Sequence, residues 1–320
     1  MYLYHFGIKE LPFTLTPNTS YYFGLPSHKE AIEVLSTALK SGEGFIKVTG
    51  EVGAGKTLIC RKLLNELPDG FVTAYIPNPY LSPAELRRSV AAELNVELPE
   101  GTDQQEFTQL IQQRLIEIHK QHKNAVLIID EAQALPDESI EALRLMTNLE
   151  TESQKLLQVV LFGQPELDDK LKQPKLRQLL QRITFSYKLK LMDADQLYQY
   201  VRHRMAVAGY RVEGLFNEVC CELMHKASGG TPRIVNVLCH KSLMLAYGEG
   251  VQKVTLEHVK AAIADTEAAI PINKKGLRRW LPASLFTAAS VCMTTLANMH
   301  VNASADILVN IEQLSLGWLL

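Results

Sequence analysis

Gly50-Glu51-Val52-Gly53-Ala54-Gly55-Lys56-Thr57 matches the pattern G-x-x-x-x-G-K-[ST] at every defined position. The run before it, Gly44 to Thr49 (GFIKVT), is β-rich and short, and Thr57–Leu67 after it has helical composition. A strand that empties through glycines into a helix is the frame a phosphate-binding loop needs. The glycines let successive backbone N–H groups face one centre, and the helix adds the positive end of its dipole. Lys56 is placed for β- and γ-phosphates and Thr57 for Mg²⁺. Glu51, Val52, Ala54 and Leu58 complete the stretch expected to line the ATP.

Further along the chain, Ala125–Ile129 (AVLII) is five apolar residues in a row, as in a strand covered on both faces, and it ends in Asp130-Glu131. The spacing predicts that a neighbouring strand brings Asp130 beside the metal, with Glu131 orienting the attacking water. Strands are also expected at Val72–Ile76, Leu156–Phe162 and Phe185–Leu191. Helices are expected at Ser27–Lys40, Ser82–Leu94 (opened by a Ser82/Glu85 capping box), Phe107–His122 and around Leu167–Leu180. This alternation reads as an α/β domain with a parallel sheet flanked by helices over residues 1–192, including an N-terminal segment. After Leu191 the strand pattern stops. Asp193–Ala208, Phe216–Ala227, Pro232–Tyr247 and Thr255–Ala268 read as helices of an all-α domain over 193–270.

The composition excludes several classes. Among 320 residues, 47% are hydrophobic and 21% charged, a globular balance. With 33 Lys+Arg against 35 Asp+Glu there is no overall positive field, so nucleic-acid binding is not expected. Cys60, Cys220, Cys221, Cys239 and Cys292 show no metal-ligand spacing, which suits a reducing cytosol without structural zinc. The N-terminus lacks the basic and apolar regions of a secretory signal. The far end differs in character. Lys274, Lys275, Arg278 and Arg279 lie in a basic linker, 271–280, ahead of an uncharged, largely apolar run at 281–299 and a short tail, 300–320. That order suits a membrane helix with the ATP-binding part on the cytoplasmic side, and a core or interfacial helix is the competing reading.

Other polar residues join the site by position. Gln164 follows the expected strand ending at Phe162 and is placed to sense a γ-phosphate. Arg233, in Gly229-Gly230-Thr231-Pro232-Arg233, opens a helix that can fold onto the nucleotide. Arg182 and Arg177, ahead of the last strand, are candidates to project at a neighbouring subunit's phosphate.

GEVGAGKT, LIIDEAQAL, LFGQPEL, LRQLLQRI and SGGTPRIVN occur in that order, after an FGIKELPFTLTPNTSYYF segment. Together they resemble the ExeA-type (general secretion pathway A) AAA+ ATPases over roughly residues 1–269, and within that group the branch serving the mannose-sensitive haemagglutinin (MSHA, type IV) pilus. The resemblance implies an AAA+ P-loop NTPase fold with a helical lid. It implies Lys56 and Thr57 as Walker A, Asp130 and Glu131 as Walker B, Gln164 as sensor 1, Arg182 as the finger and Arg233 as sensor 2. Gln164 departs from the Asn, Ser or Thr more usual at sensor 1. The resemblance also implies an inner-membrane-attached homo-oligomeric ring whose partners are pilus or secretion assembly proteins. Relatives with a long periplasmic region bind peptidoglycan, and that property is not carried over to the short tail here. Two alternatives stay open: a DNA-associated ATPase resembling transposition regulators, and a nucleotide-gated scaffold with little turnover.

Overall fold

The computed structural model describes residues 2–99, 101–149, 155–212 and 214–271. The apolar run at 281–299 lies outside them, and among the described residues no helix is long and apolar enough to cross a membrane.

The chain begins with a short helix, α1 (Tyr2–Phe6), and then α2 (Pro26–Lys40) leads into β1 (Phe45–Thr49) and α3 (Lys56–Glu66). There follow β2 (Phe71–Ile76), α4 (Pro83–Glu93), α5 (Gln104–Lys120), β3 (Asn124–Ile129), α6 (Asp137–Met146) and β4 (Leu157–Gly163). Next come α7 (Glu166–Leu171), α8 (Arg177–Leu180) and β5 (Ile183–Lys188). The helices α9 (Ala194–Val207), α10 (Glu218–Ser228), α11 (Pro232–Gly248) and α12 (Leu256–Ala264) complete the described chain.

The five strands form one parallel sheet in the order β2-β3-β4-β1-β5. Side chains alternate across it with period two. Ile46, Val48, Val126 and Ile128 meet Leu35 and Leu39 of α2 and Ile59 and Leu63 of α3 on one face. Phe45, Leu127, Ile129 and Leu161 meet Leu86 of α4, Ile111 of α5 and Leu143 of α6 on the other. The apolar run at Val126–Ile129 therefore serves two cores at once. The Ser82 capping box forms as its sequence predicts, with the Ser82 Oγ accepting from the Glu85 N–H and the Glu85 carboxylate accepting from the Ser82 N–H. No helix is expected from the sequence where α6 stands. It is an amphipathic segment opened by Asp137 and Glu138 in its first turn, where acidic side chains suit the helix dipole.

Strand order corrects one expectation. Asp130 does not come from the strand next to the loop strand, because β4 lies between β1 and β3. The loop is tied to that intervening strand by the Gly50 N–H, which donates to the Gly163 carbonyl at 3.2 Å.

Packing of the N-terminal segment cuts across chain order. Tyr2, Phe6, Ile8, Phe13, Tyr21 and Leu25 are buried with Leu197, Val201, Val235 and Leu243 of the helical half, in one core with α9 to α12. Tyr2 donates its hydroxyl to His240 Nδ1 at 2.9 Å. The chain thus leaves the helical core after Leu25, builds the sheet, and returns at Met192. The two passages touch, since the Lys190 N–H donates to Ser27 Oγ at 2.8 Å. At the return, Met192 N–H donates to the Gly230 carbonyl at 3.1 Å. Gly230 has φ +78°, and a Cβ there would lie 2.0 Å from the Met192 carbonyl oxygen, so only glycine fits.

Candidate functional site

The loop after β1 curls so that Gly55, with φ +100°, sits at the N-cap of α3. Lys56 and Thr57 then fall in the first helical turn. The buried Lys56 ammonium folds back along the loop and donates to the carbonyls of Gly50 (2.8 Å) and Glu51 (3.0 Å). Burial lowers its pKa, against the pull of Glu131, Asp130 and Glu51. Thr57 Oγ1 donates to Asp130 Oδ2 at 2.7 Å, while the other Asp130 oxygen accepts the Glu131 N–H at 2.9 Å. Burial raises the Asp130 pKa despite those two donors.

Glu131 adopts the left-handed region, with φ +52°, and begins the 3-10 turn Ala132–Ala134. Its Oε2 accepts two amides, from Gln133 Nε2 at 2.6 Å and Gln164 Nε2 at 3.0 Å. Burial pushes the Glu131 carboxyl up, but those amides and the Lys56 charge outweigh it and the net shift is downward. Glu131 is therefore ionised at neutral pH. Gln164 lies just past the C-terminal end of β4, so the strand inserted between β1 and β3 brings its side chain beside the acid.

A cavity of about 180 Å³ opens over the loop. Gly53, Lys56, Thr57, Leu58 and Glu131 line it from the sheet side. Across from them stand Tyr200, Arg204, Arg233 and Asn236 of the helical half, with Thr14–Asn18 of the N-terminal segment. The chain at Arg233 reaches the loop directly, its backbone N–H donating to the Gly53 carbonyl at 3.3 Å. A Cβ on Gly53, which has φ +79°, would lie 2.6 Å from the Arg233 Cβ. The loop therefore has glycine where the helical half approaches most closely. Glu51 and Val52 are exposed at the mouth, and Ala54 is buried beneath.

Two groups of residues hold this arrangement without being legible in the motifs. His28 of α2 lies under the loop and donates Nε2–H to the Ala54 carbonyl at 3.0 Å. Its pKa is lowered by burial, partly offset by that carbonyl, so the ring is neutral. On the far wall, Arg204 donates Nε–H to the Pro12 carbonyl and Nη1–H to the Tyr200 hydroxyl (3.0 Å). The Tyr200 hydroxyl donates to Asn236 Oδ1 at 2.9 Å, and Asn236 Nδ2 donates to the Thr14 carbonyl at 3.3 Å. This chain of bonds fixes the segment whose next residues line the cavity. Gln133 stands two residues after Glu131 in the sequence, and that spacing alone does not signal its contact with both Glu131 and Gln164.

Arg182 and Arg177 are not brought to this cavity. Arg182 precedes Ile183, which pairs with Phe45 at the start of β1, whereas the loop follows Thr49 at its end. Five residues of strand separate the two levels by about 16 Å. Arg182 donates to the Asn148 side chain, and Arg177 is exposed on α8.

The donor set fits a nucleotide with Mg²⁺. Thr57 and Asp130 offer two oxygens already 2.7 Å apart, the hard ligands that ion prefers. A Cβ would meet Leu189 at 2.9 Å on Gly50, Arg233 at 2.6 Å on Gly53 and His28 at 3.0 Å on Gly55, so the glycines let the loop curl tightly against its neighbours, as a phosphate-binding loop must.

Residues 39–171 match the family described as the AAA domain. The chain is 41% identical over 254 residues to General secretion pathway protein A of Aeromonas hydrophila. That alignment covers 79% of this chain and 46% of the relative, so the chain spans about half the relative's length. Among solved structures it is similar to the ORC2 protein of Aeropyrum pernix, with TM-score 0.59 and 16% identity, covering 87% of this chain and 76% of that one. It is likewise similar to Cdc6p of Pyrobaculum aerophilum, with TM-score 0.59 and 19% identity, covering 81% and 70%. At such identities these likenesses establish the fold alone. The sequence relative and the AAA match support the resemblance to ExeA-type ATPases.

Proposed function

We propose that this chain, an AAA+ P-loop ATPase, binds and hydrolyses Mg·ATP to support assembly of a type II secretion machine or an MSHA-like type IV pilus at the inner membrane. The observation that carries the hydrolytic part is the Thr57–Asp130 contact beside a Glu131 held ionised over the same cavity. Gly50 to Leu58 would wrap the phosphates with backbone N–H groups, and Lys56 would exchange its loop carbonyls for β- and γ-phosphate oxygens. Thr57 and Asp130 would hold Mg²⁺, which supplies charge neutralisation on the transferring phosphate. Glu131 would orient the attacking water and accept its proton. Gln164 would meet the γ-phosphate, and Arg233 would bring the helical half onto the nucleotide. Arg182, with Arg177 near it, would serve the neighbouring subunit's site in a homo-oligomeric ring, since both sit at the opposite end of the sheet from the loop.

The machine-specific part is supported by the 41% identity to General secretion pathway protein A and by the ordered motifs. Within the ExeA type, the resemblance is to MshM, the biogenesis ATPase of the MSHA pilus. The basic linker and apolar run after residue 271 support attachment to the inner membrane with the ATPase on the cytoplasmic side. Glu131→Gln tests the reading: the purified full chain should retain bound ATP while turnover falls at least about 100-fold. Wild-type hydrolysis by that variant would overturn the catalytic assignment. Expressed in the cell, the same variant should block pilus or secretion output and pellet with inner membranes through a carbonate wash. Normal output would sever the ATPase from those machines.

A further inference from the structure

Glu131 is gripped at one oxygen only. Both Gln133 and Gln164 donate to Oε2, and among the described residues no donor reaches Oε1. The two glutamines are not equivalent. Gln164 is the residue that would meet the γ-phosphate. Gln133 has nowhere else to go: its Oε1 accepts the Gln164 backbone N–H at 3.0 Å, and its backbone carbonyl accepts from Lys170 Nζ at 3.3 Å. Its backbone lies in the turn closed by the Ala134 N–H donating to the Glu131 carbonyl at 2.9 Å. Glu131 lines the cavity, and neither glutamine that grips its Oε2 does.

We propose that Gln133 is a positioning residue for hydrolysis, pinning the Glu131 carboxylate by Oε2 so that Oε1 faces the attacking water. A glutamate side chain has three rotatable bonds, and a base that drifts by about 1 Å forfeits on the order of 100-fold in rate. With both amides in place Glu131 is fixed before nucleotide arrives. When Gln164 turns to the γ-phosphate, one donor leaves and Gln133 alone keeps the carboxylate aimed. The inference rests on the reading of Glu131 as the water-orienting base.

The test uses the full chain with Gln133→Met, which keeps length and removes both the donor and the acceptor. The expected result is a kcat about 10- to 100-fold lower with KM for ATP within about twofold of wild type. In the Glu131→Gln background the same substitution should cost nothing further in single-turnover rate, because its target is already gone. Gln133→Asn, which retains the amide one methylene short, should fall between wild type and Gln133→Met, and serves if the methionine variant does not fold. An unchanged kcat in these variants, a KM that rises in step with the kcat loss, or an equal loss in the Glu131→Gln background would overturn the proposal. Failure of the parent reading has a separate signature, namely Glu131→Gln hydrolysing ATP at the wild-type rate.

Discussion

The two walls of the cavity over the Gly50–Thr57 loop are built by different means. On the sheet side, polar groups satisfy one another over short paths: Lys56 with its own loop carbonyls, Thr57 with Asp130, and Glu131 with two glutamines. On the helical side, the wall is held by bonds that span most of the chain, from Arg204 to Pro12 and from Asn236 to Thr14. On the proposed function, the first wall is a preorganised reaction centre that would receive the phosphates and the metal. The second is a strap whose position depends on the packing of the helical core. The contrast predicts that damage to the sheet side abolishes phosphate binding or turnover while the fold survives, and that damage to the helical side costs stability and weakens binding only several-fold.

The largest effect should come from Lys56→Ala. It removes a buried ammonium that faces the loop, so ATP binding measured by fluorescent nucleotide titration should fall beyond detection while the melting temperature holds or rises, since burial disfavours that charge. Retained ATP binding would break the comparison at its stronger end. Arg182→Ala comes next, because a finger supplied from outside is worth about 10³-fold or more in related phosphoryl transfers. Mixing Arg182→Ala chains with Glu131→Gln chains should restore part of the rate, through interfaces that pair an intact Glu131 with an intact Arg182. No recovery despite confirmed co-assembly would remove Arg182 from the site.

Arg204→Met sharpens the other side of the contrast. It strips the donors from the Pro12 carbonyl and the Tyr200 hydroxyl in a buried setting, at a cost of about 2 kcal/mol, or about 4–6 °C in Tm. KM for ATP should rise several-fold, with kcat at saturating ATP within about threefold of wild type. A loss confined to kcat would place Arg204 with the reaction centre instead.

The motifs made the sheet wall legible because phosphate chemistry fixes residue type and spacing within one loop, and because the acid pair ends an unmistakable apolar strand. The insertion of β4 between β1 and β3 was not legible, since strand order depends on which faces pair and not on any one segment. The helical wall was hidden for a related reason. Nothing local in FGIKELPFTLTPNTSYYF says that Phe6 and Phe13 bury with α9 to α12, residues that come about two hundred positions later. Gln133 was visible but mute: a glutamine two residues after an acid has many possible partners, and only the αL turn at Glu131 selects one.

The smallest predicted effect concerns pH and the His28 contact beneath the loop. Because burial lowers the folded pKa of His28, the unfolded chain binds more protons below the ordinary value of about 6.5. Stability is then fully present above that pH and is lost as pH falls toward the folded pKa, by at most about 1.4 kcal/mol per pH unit. Chemical denaturation of wild type against His28→Gln between pH 7.5 and 5.5 should show a shallower slope in the variant. Parallel slopes would exclude His28 as the origin.

The Ser27–Lys190 bond has a mechanical reading. The sheet body is spliced into the helical body, entering after Leu25 and leaving before Met192, and the two joints are stitched side by side. A part hung from two adjacent pins swings easily about one axis and resists every other displacement, as a page does at its spine. Arg233, whose backbone N–H already donates to the Gly53 carbonyl, would therefore part from the loop and return along a single swing, with the free edge of the page travelling furthest.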